Sequence, residues 1–239
     1  MPFVEGGEGK RPRRRWSSWY DNRLVTEAGE AILAELDSWA IEELRRYKLV
    51  WSGWGPLQKL NDFDPIPNTD WGFREISGMD FGRLRLFFLS LLWRACASDR
   101  PEFELIQMDR EELERLRKMI VAKNSDPFSF YPISLVQLST MGITHNHTPI
   151  LETKRIEAFD DQPDREVSIF RFYFDGLIVH CERPRPDVID IKEFGKMTIG
   201  FGDKLAVMTV TFEGSRQKAL IEHFKAEAMT NWPDVMQKL

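Results

Sequence analysis

The sequence has little of what disulfide bonding or a cysteine metal site requires. Its 239 residues include two cysteines, Cys96 and Cys181, and no Cys-x-x-Cys pair. Two cysteines cannot build a disulfide framework, and zinc or redox sites of the Cys-x-x-Cys type are excluded. We therefore expect no disulfide network, no metal cofactor held by thiolates, and a reducing cytoplasm as the compartment of this protein.

The chain also lacks a long hydrophobic run and any internal repeat. Residues 1–15 have no apolar core of the signal-peptide type, and the strongest apolar run, residues 84–97, is interrupted by Arg85 and Arg94. A bilayer span needs about 20 apolar residues. The sequence therefore predicts neither export nor a membrane span, and the missing repeat argues against a solenoid or a propeller.

Charge is distributed unevenly along the chain. The net charge is −5, but residues 1–16 hold five basic and two acidic side chains, whereas the remainder holds 28 basic and 36 acidic ones. Glycine and proline are frequent in the first 18 residues and apolar side chains are few, which is typical of segments that do not fold alone. We predict a flexible basic arm over residues 1–18 and an acidic body.

Hydrophobic periodicity predicts two helices early in the body. Apolar residues recur at three- and four-residue spacing over residues 27–50, which indicates an amphipathic helix. Thr26 is its candidate N-cap, because a hydroxyl can accept from an amide of the first turn. Asp80 can cap a second helix over residues 81–98, which is apolar almost all round and is therefore expected in the core.

Two further helices are predicted from their starting residues. Asp109 with Glu112 three residues later resembles a capping box, and the helix that it opens is predicted to end near residue 122. The last helix is predicted to start near Ser215. It carries apolar residues on one face, so we expect it to pack on a sheet.

After residue 126 the pattern changes to short runs rich in Ile, Val, Phe and Thr, which predict strands. Asp175 and Gly176 stand between two of these runs and favour a tight hairpin turn with positive φ at both residues. The five predicted strands cover residues 133–140, 149–156, 167–174, 177–181 and 205–212.

These elements together predict an α+β fold. Three helices would come first, followed by an antiparallel sheet with a C-terminal helix. In this prediction residues 19–125 form a helical region, residues 126–239 form the sheet with its helix, and the two pack as one globular unit.

A long connection over residues 51–78 separates the first two helices. It contains three prolines and the tryptophans Trp51, Trp54 and Trp71. A connection of this length is uncommon unless it has a function or is packed by its own side chains. Packing into the core is the favoured interpretation, since an exposed aromatic patch of this size promotes aggregation, and a protein-binding surface is the alternative.

Two groups of segments carry a family resemblance: residues 19–25 and 37–40, and residues 84–94, 101–103 and 113–120. The first group resembles the segment after an N-terminal HNH-like zinc-knuckle module in a bacterial protein family of largely uncharacterised members, and the second resembles the helical body that follows it. The resemblance covers residues 19–130. It implies a nucleic-acid-related bacterial protein whose helical region derives from an HNH-like ancestor.

The zinc knuckle itself is absent from this chain. The resemblance places a Cys-x-x-Cys pair at Thr26 and Gly29, and neither side chain is a sulfur ligand. Zinc sites need several Cys or His donors that converge on the ion. A nuclease activity that depended on this zinc is therefore not expected.

The basic arm is the leading candidate for a binding site. Phosphate binding by basic side chains releases condensed counterions, and an aromatic ring can stack on a base. An acidic protein partner would satisfy the same charges. The residues predicted to bind are Lys10, Arg11, Arg13, Arg14, Arg15 and Trp16.

Catalytic and metal candidates are few. His145 and His147 stand at alternate positions and would point the same way in a strand, with His180 as a third donor that the fold would have to bring close. Exposed histidines in a turn are the favoured interpretation, so no metal site is assigned. Cys181 lies beside His180, but neighbours in a strand point to opposite faces, and Cys96 falls in the apolar helix, where packing is its expected role.

The sequence therefore predicts a non-enzymatic binding or accessory protein with a degenerate HNH-like region that engages nucleic acid or a macromolecular partner. No catalytic residue and no cofactor are assigned. A metal-dependent hydrolase or nuclease, with a site assembled from scattered Asp, Glu and His residues, is one alternative. A subunit of a larger complex, docked through the arm and the tryptophan segment, is the other.

Overall fold

The computed structural model describes residues 3–7, 9–15, 21, 23–145, 147–156, 165–185 and 190–238. Within these ranges the protein has a mixed α+β fold with a seven-stranded sheet, a separate two-stranded hairpin and five α-helices. The α+β prediction is confirmed. The helices are α1 (Glu27–Arg46), α2 (Phe81–Ala97), α3 (Arg110–Val121), α4 (Arg216–Asn231) and α5 (Pro233–Met236).

Capping residues begin three of these helices where the sequence predicts. Thr26 accepts from the backbone N–H of Gly29 at the start of α1, and Asp80 accepts from that of Arg83 in α2. Ser215 does the same for α4. These caps satisfy amides that have no partner inside the helix.

The predicted capping box of α3 is not formed. Asp109 lies at the N-cap position but makes no side-chain cap hydrogen bond. The Glu112 carboxylate instead accepts from the Tyr131 hydroxyl, with an oxygen–oxygen distance of 2.8 Å. The tertiary contact takes the place of the local one.

Nine strands lie within the described residues. Each of the five strands predicted after residue 126 is present, with bounds that differ by a few residues. The strands are β1 (Phe3–Gly7), β2 (Lys10–Arg15), β3 (Asp64–Pro65), β4 (Trp71–Ser77), β5 (Ile133–Leu138), β6 (His147–Ile156), β7 (Arg165–Phe174), β8 (Leu177–Glu182) and β9 (Lys204–Val210).

The large sheet has the strand order β3-β4-β9-β5-β8-β7-β6. Asp175 and Gly176 form the predicted β7–β8 turn, with φ of 51° and 83°. The sheet is mixed rather than wholly antiparallel as predicted, because β5 and β9 run parallel. A parallel neighbour requires a long connection, and the chain from β5 to β9 passes through β6, β7 and β8.

The order of elements also differs in part from the prediction of three helices followed by a sheet. Strands β3 and β4 lie between α1 and α2, inside the long tryptophan-containing connection, and β4 pairs with β9. The connection therefore supplies the end of the sheet.

The two faces of the sheet are covered differently. On the first face, side chains such as Val207, Leu135 and Phe170 join α1, α2 and α3 in the main hydrophobic core. On the second face, Ile178 and Val210 belong to a smaller cluster against which Ile221 of α4 packs. Helices and sheet thus share one core, and α4 covers part of the opposite face.

The predicted burial of the tryptophans is confirmed for two of the three. Trp51 and Trp54 are buried in the smaller cluster, whereas Trp71 is 40% exposed. Strand alternation explains the difference, because Trp71 lies on the outer side of β4.

The basic arm contains regular structure that the sequence did not predict. Strands β1 and β2 pair antiparallel, with Glu5 opposite Arg13, and they contact α4, while β2 also contacts α5. The low apolar content of this segment argued against a folded arm. Backbone pairing with a second strand and contact with a helix, however, do not require a high apolar content. None of the described helices combines the length and apolar content needed to cross a bilayer.

Candidate functional site

The predicted binding residues of the arm lie on strand β2. Arg11 is exposed and Pro12 is buried. The side chains of Lys10, Arg13, Arg14 and Arg15, like the whole of Trp16, lie outside the part of the chain that the structure describes. What the structure establishes is that five basic positions, interrupted by one proline, follow the backbone of a paired strand.

The hairpin is held against α4. The backbone N–H of Gly9 donates to the Glu227 carboxylate, with a nitrogen–oxygen distance of 2.7 Å. Gly9 has a φ of +64°, which favours glycine at this turn. Because both strands contact α4, the basic strand is presented on a helix of the body.

The three candidate metal-binding histidines lie around Arg171 on the second face of the sheet. His180 stands directly opposite Arg171 in the β7–β8 register. His147 is the first residue of β6 and His145 lies two residues before it; burial lowers the pKa of both, and the positive charge of Arg171 lowers it further. We call His145, His147, His180, Arg171 and Gln217 the histidine–arginine cluster.

Hydrogen bonds fix His145 within this cluster. Its Nδ1 is 2.7 Å from the carbonyl oxygen of Ile143, an atom that only accepts, so Nδ1 carries the proton. Its Nε2 then accepts from the Gln217 amide at 2.8 Å, and the Gln217 oxygen accepts from Arg171 at 2.7 Å. Both ring nitrogens of His145 are therefore in use.

The other two histidines are held by packing. The His147 ring stacks on Phe224 of α4 with 5.5 Å between ring centroids, and its Nδ1 donates to the carbonyl of Thr148. Burial, followed by the charges of Lys154, Arg171 and Arg216, lowers the pKa of His180 to about 3. The cluster consequently holds neutral imidazoles beside a buried cation.

This arrangement does not match a metal site built from the three candidate histidines. Among the described residues, no group of three His, Cys, Asp or Glu side chains is placed to hold one metal ion. The Arg171 guanidinium lies among the three histidines and would repel a metal cation. Through the hydrogen bond of Gln217 with Arg171 and the stacking of Phe224 on His147, the cluster holds α4 against the sheet.

Neither cysteine is arranged as a nucleophile. Burial raises the pKa of Cys96 to about 12 and raises that of Cys181 as well. A thiol is reactive as its thiolate, which burial disfavours. Cys181 belongs to the main core on the first face, so it points away from His180, as strand alternation predicts.

A cavity of about 410 Å³ lies between α1, the start of α2 and the end of α3. Its lining is mixed, and its charged side chains are already engaged: the Glu35 carboxylate accepts from Lys123 at 2.8 Å and from Arg83 at 3.2 Å, and the Asp80 carboxylate accepts from the Arg83 backbone N–H. The sequence did not bring Glu35, Arg83 and Lys123 together, since they come from α1, α2 and the segment after α3. The lining residues include Ile32, Leu36, Asp80, Gly82, Leu86, Ile120 and Ser125.

Thr26 and Gly29, where the HNH-like resemblance places two cysteines, meet each other in the cap of α1, with 3.3 Å from the Gly29 nitrogen to Thr26 Oγ1. Comparisons of the chain with models of protein families, with curated proteins and with solved structures each found no match. The resemblance therefore stays a prediction.

Proposed function

We propose that this protein is a non-enzymatic binding or accessory protein that engages nucleic acid through the β1–β2 hairpin. The observation that carries the proposal is the placement of Lys10, Arg11 and Arg13–Arg15 along one paired strand. A two-stranded ribbon is narrow enough to enter the major groove of a duplex. Arginine suits such contacts because its planar guanidinium can donate two hydrogen bonds to one phosphate.

The uneven charge of the chain favours the approach of nucleic acid to the hairpin side. Residues 17–239 have 28 basic and 36 acidic side chains, so the body repels phosphate, whereas the hairpin segment attracts it. The contacts of β1 and β2 with α4 hold the hairpin on the body. Nucleic acid would therefore meet the hairpin first.

The setting that we propose is the bacterial cytoplasm. Cys96 and Cys181 are both free thiols, which a reducing compartment preserves. We further propose that residues 19–125 derive from an HNH-like ancestor that lost its zinc knuckle. The cap formed by Thr26 and Gly29 supports this idea, because it stabilises the helix start at the positions where the resemblance places ligands.

The experiment measures binding of the whole chain to a fluorescently labelled duplex and to a single strand by anisotropy across a salt series. We expect affinity to fall steeply as salt rises, because binding releases counterions from the phosphates and added salt opposes that release. In the triple variant R11Q/R13Q/R14Q, the slope of log K against log salt should become shallower by about one for each arginine that binds a phosphate.

A matched control also removes three positive charges, here from exposed side chains of α3. The variant R110Q/R117Q/K118Q should keep the wild-type slope. Equal effects of the two triple variants would contradict the proposal, as would undetectable binding of the wild type. Binding of the hairpin to an acidic protein but to neither nucleic acid would assign it to a protein partner instead.

A further inference from the structure

Three large apolar side chains stand exposed together at the β3–β4 end of the sheet. Ile66 is 36% exposed, Trp71 is 40% exposed and Phe73 is 46% exposed. Trp71 and Phe73 are two residues apart on β4 and so share its outer side, and the Ile66 N–H donates to the Trp71 carbonyl at 2.9 Å. We call these three residues the aromatic face.

The register of β4 keeps the Trp71 and Phe73 side chains of the aromatic face pointing to the exposed side of the strand. Gly72 turns inward, where a Cβ would lie 2.6 Å from the Phe63 ring. Arg74 is also buried, and its guanidinium donates to Gln137 at 3.0 Å and to Asp62 at 3.0 Å. A shift by one residue would bury Trp71 and expose Arg74, but no larger side chain fits at Gly72. The strand therefore buries an arginine and exposes two aromatics.

The neighbouring edge of the sheet is closed to a further strand. β3 pairs through only Asp64 and Pro65, and Pro67 follows, so the edge offers few backbone N–H groups. A partner at this end would have to lie on the face. On the second face of the sheet, Gln217 and Arg216 of α4 contact β7 and β6, and Ile221 of α4 packs on the smaller cluster, which includes Val210 of β9.

The surroundings of the aromatic face are acidic. Residues 61–80 contain five acidic side chains, all exposed, and one basic side chain, the buried Arg74. Asp64 stands opposite Phe73 in the β3–β4 register, and Glu75 lies on the same side of β4, where it pairs with Lys204 at 2.6 Å. Arg74 and Lys204 offset Asp62 and Glu75. The exposed carboxylates of Asp64 and Asp70 leave the local charge complementary to a cation.

We propose that the aromatic face binds an arginine- or lysine-containing extended segment of a partner protein. Aromatic rings attract guanidinium and ammonium groups through their negative faces, and the carboxylates of Asp64 and its neighbours add charge-assisted hydrogen bonds. Trp71 and Phe73, about 7 Å apart along the strand, match alternate side chains of an extended peptide. Binding at this face depends neither on the hairpin nor on nucleic acid.

The test is calorimetric titration of the full chain with a peptide of alternating arginine and serine, alongside a peptide in which glutamine replaces each arginine. We expect the arginine peptide to bind at least tenfold more tightly. The variant W71T/F73T, which keeps good strand-forming residues, should weaken its binding at least tenfold. The variant D64N should weaken it severalfold and reduce its salt dependence.

Leu105→Thr is the matched control, because Leu105 is 73% exposed outside the aromatic face, and it should bind the arginine peptide as the wild type does. The proposal is overturned if the arginine peptide does not bind, if the glutamine peptide binds equally, or if W71T/F73T binds as tightly as the wild type. Self-association in sedimentation runs that W71T/F73T abolishes would assign the face to a second copy and overturn it as well.

Discussion

His180 shows how a single buried residue makes the free energy of unfolding depend on pH. Its position on β8 lies between Ser134 of β5 and Arg171 of β7, and its buried Nδ1 has no hydrogen-bond partner among the described residues. Protonation would place a charge beside Arg171, Lys154 and Arg216. The folded protein therefore holds this imidazole neutral, which agrees with a pKa of about 3.

The sign of the resulting pH dependence follows from proton binding. In the unfolded chain His180 titrates near its ordinary value of 6.5. Below that pH the unfolded state binds a proton that the folded state does not, so the free energy of unfolding falls with decreasing pH and continues to fall toward pH 3. At pH 5 the loss from His180 alone is about 2 kcal/mol.

The measurement compares urea unfolding at pH 7.5 and pH 5.0. His180→Gln should reduce the difference between the two pH values, because no ionisable ring is buried there. His223→Gln, on the exposed surface of α4, serves as the control and should keep the wild-type difference. An identical difference in His180→Gln and the wild type would show that His180 is accessible to protons in the folded state.

Arg85 shows why some single residues escaped prediction. The sequence marks it only as an interruption of an apolar helix, yet it is wholly buried and donates to the carbonyls of Ser125, Pro127 and Phe130. Burial lowers the pKa of Arg85 to about 10. Its partners lie 40 to 45 residues away in the chain, so no local sequence pattern predicts these hydrogen bonds.

At the scale of elements, the β7–β8 turn shows how local chemistry and tertiary packing coincide. The backbone N–H of Trp51 donates to the Asp175 carbonyl at 2.8 Å, and that of Ser52 donates to the Asp175 carboxylate at 3.0 Å. Gly176 lies against the Trp51 ring, where an added Cβ would meet ring atoms at 2.4 to 2.6 Å. The turn thus needs glycine for two reasons, its positive φ and the close approach of Trp51.

We expect Gly176→Ala to lower the free energy of unfolding by about 2 to 4 kcal/mol, because backbone strain and overpacking add. Gly55→Ala provides the comparison, since Gly55 has a φ of +60° with open space around its Cβ position. It should cost only about 1 kcal/mol. Urea unfolding of both variants gives the measurement. Equal losses of unfolding free energy would show that the Trp51 ring can move aside without destabilising the protein.

Secondary-structure elements were predictable where the residues that determine them are close together in the sequence. Caps at Thr26, Asp80 and Ser215 and the Asp175–Gly176 turn follow from side chains a few residues apart. Strand β4 was missed because its inward positions include Gly72 and Arg74 while its outward ones are aromatic, which inverts the usual hydrophobic pattern.

The candidate sites depended on long-range placement in the same way. The sequence singled out His145, His147 and His180, but the cation among them, Arg171, was not assigned to the site. A metal hypothesis stayed open for that reason. Strand register, which the sequence leaves unspecified across distant segments, decides that Arg171 stands opposite His180.

At the scale of the whole molecule, the hairpin contacts the body through its last two helices. Neither Arg11 nor Pro12, the two strand residues of the hairpin whose side chains the structure describes, belongs to a hydrophobic cluster. The described attachments are the contacts with α4 and α5, the hydrogen bond from Gly9 to Glu227 and the burial of Pro12. The stability of the body and the charge of the hairpin should therefore be separable.

Deletion of residues 1–16 tests this separation. The truncated chain should unfold cooperatively in urea with a loss of about 1 kcal/mol or less, since the described attachments that it loses are one hydrogen bond and the burial of Pro12. Its net charge changes from −5 to −8, because the deleted segment holds five basic and two acidic residues. Binding to labelled nucleic acid, measured on the same preparation, should disappear. A loss of about 3 kcal/mol or more, or a broad transition, would place the hairpin within the folding core instead.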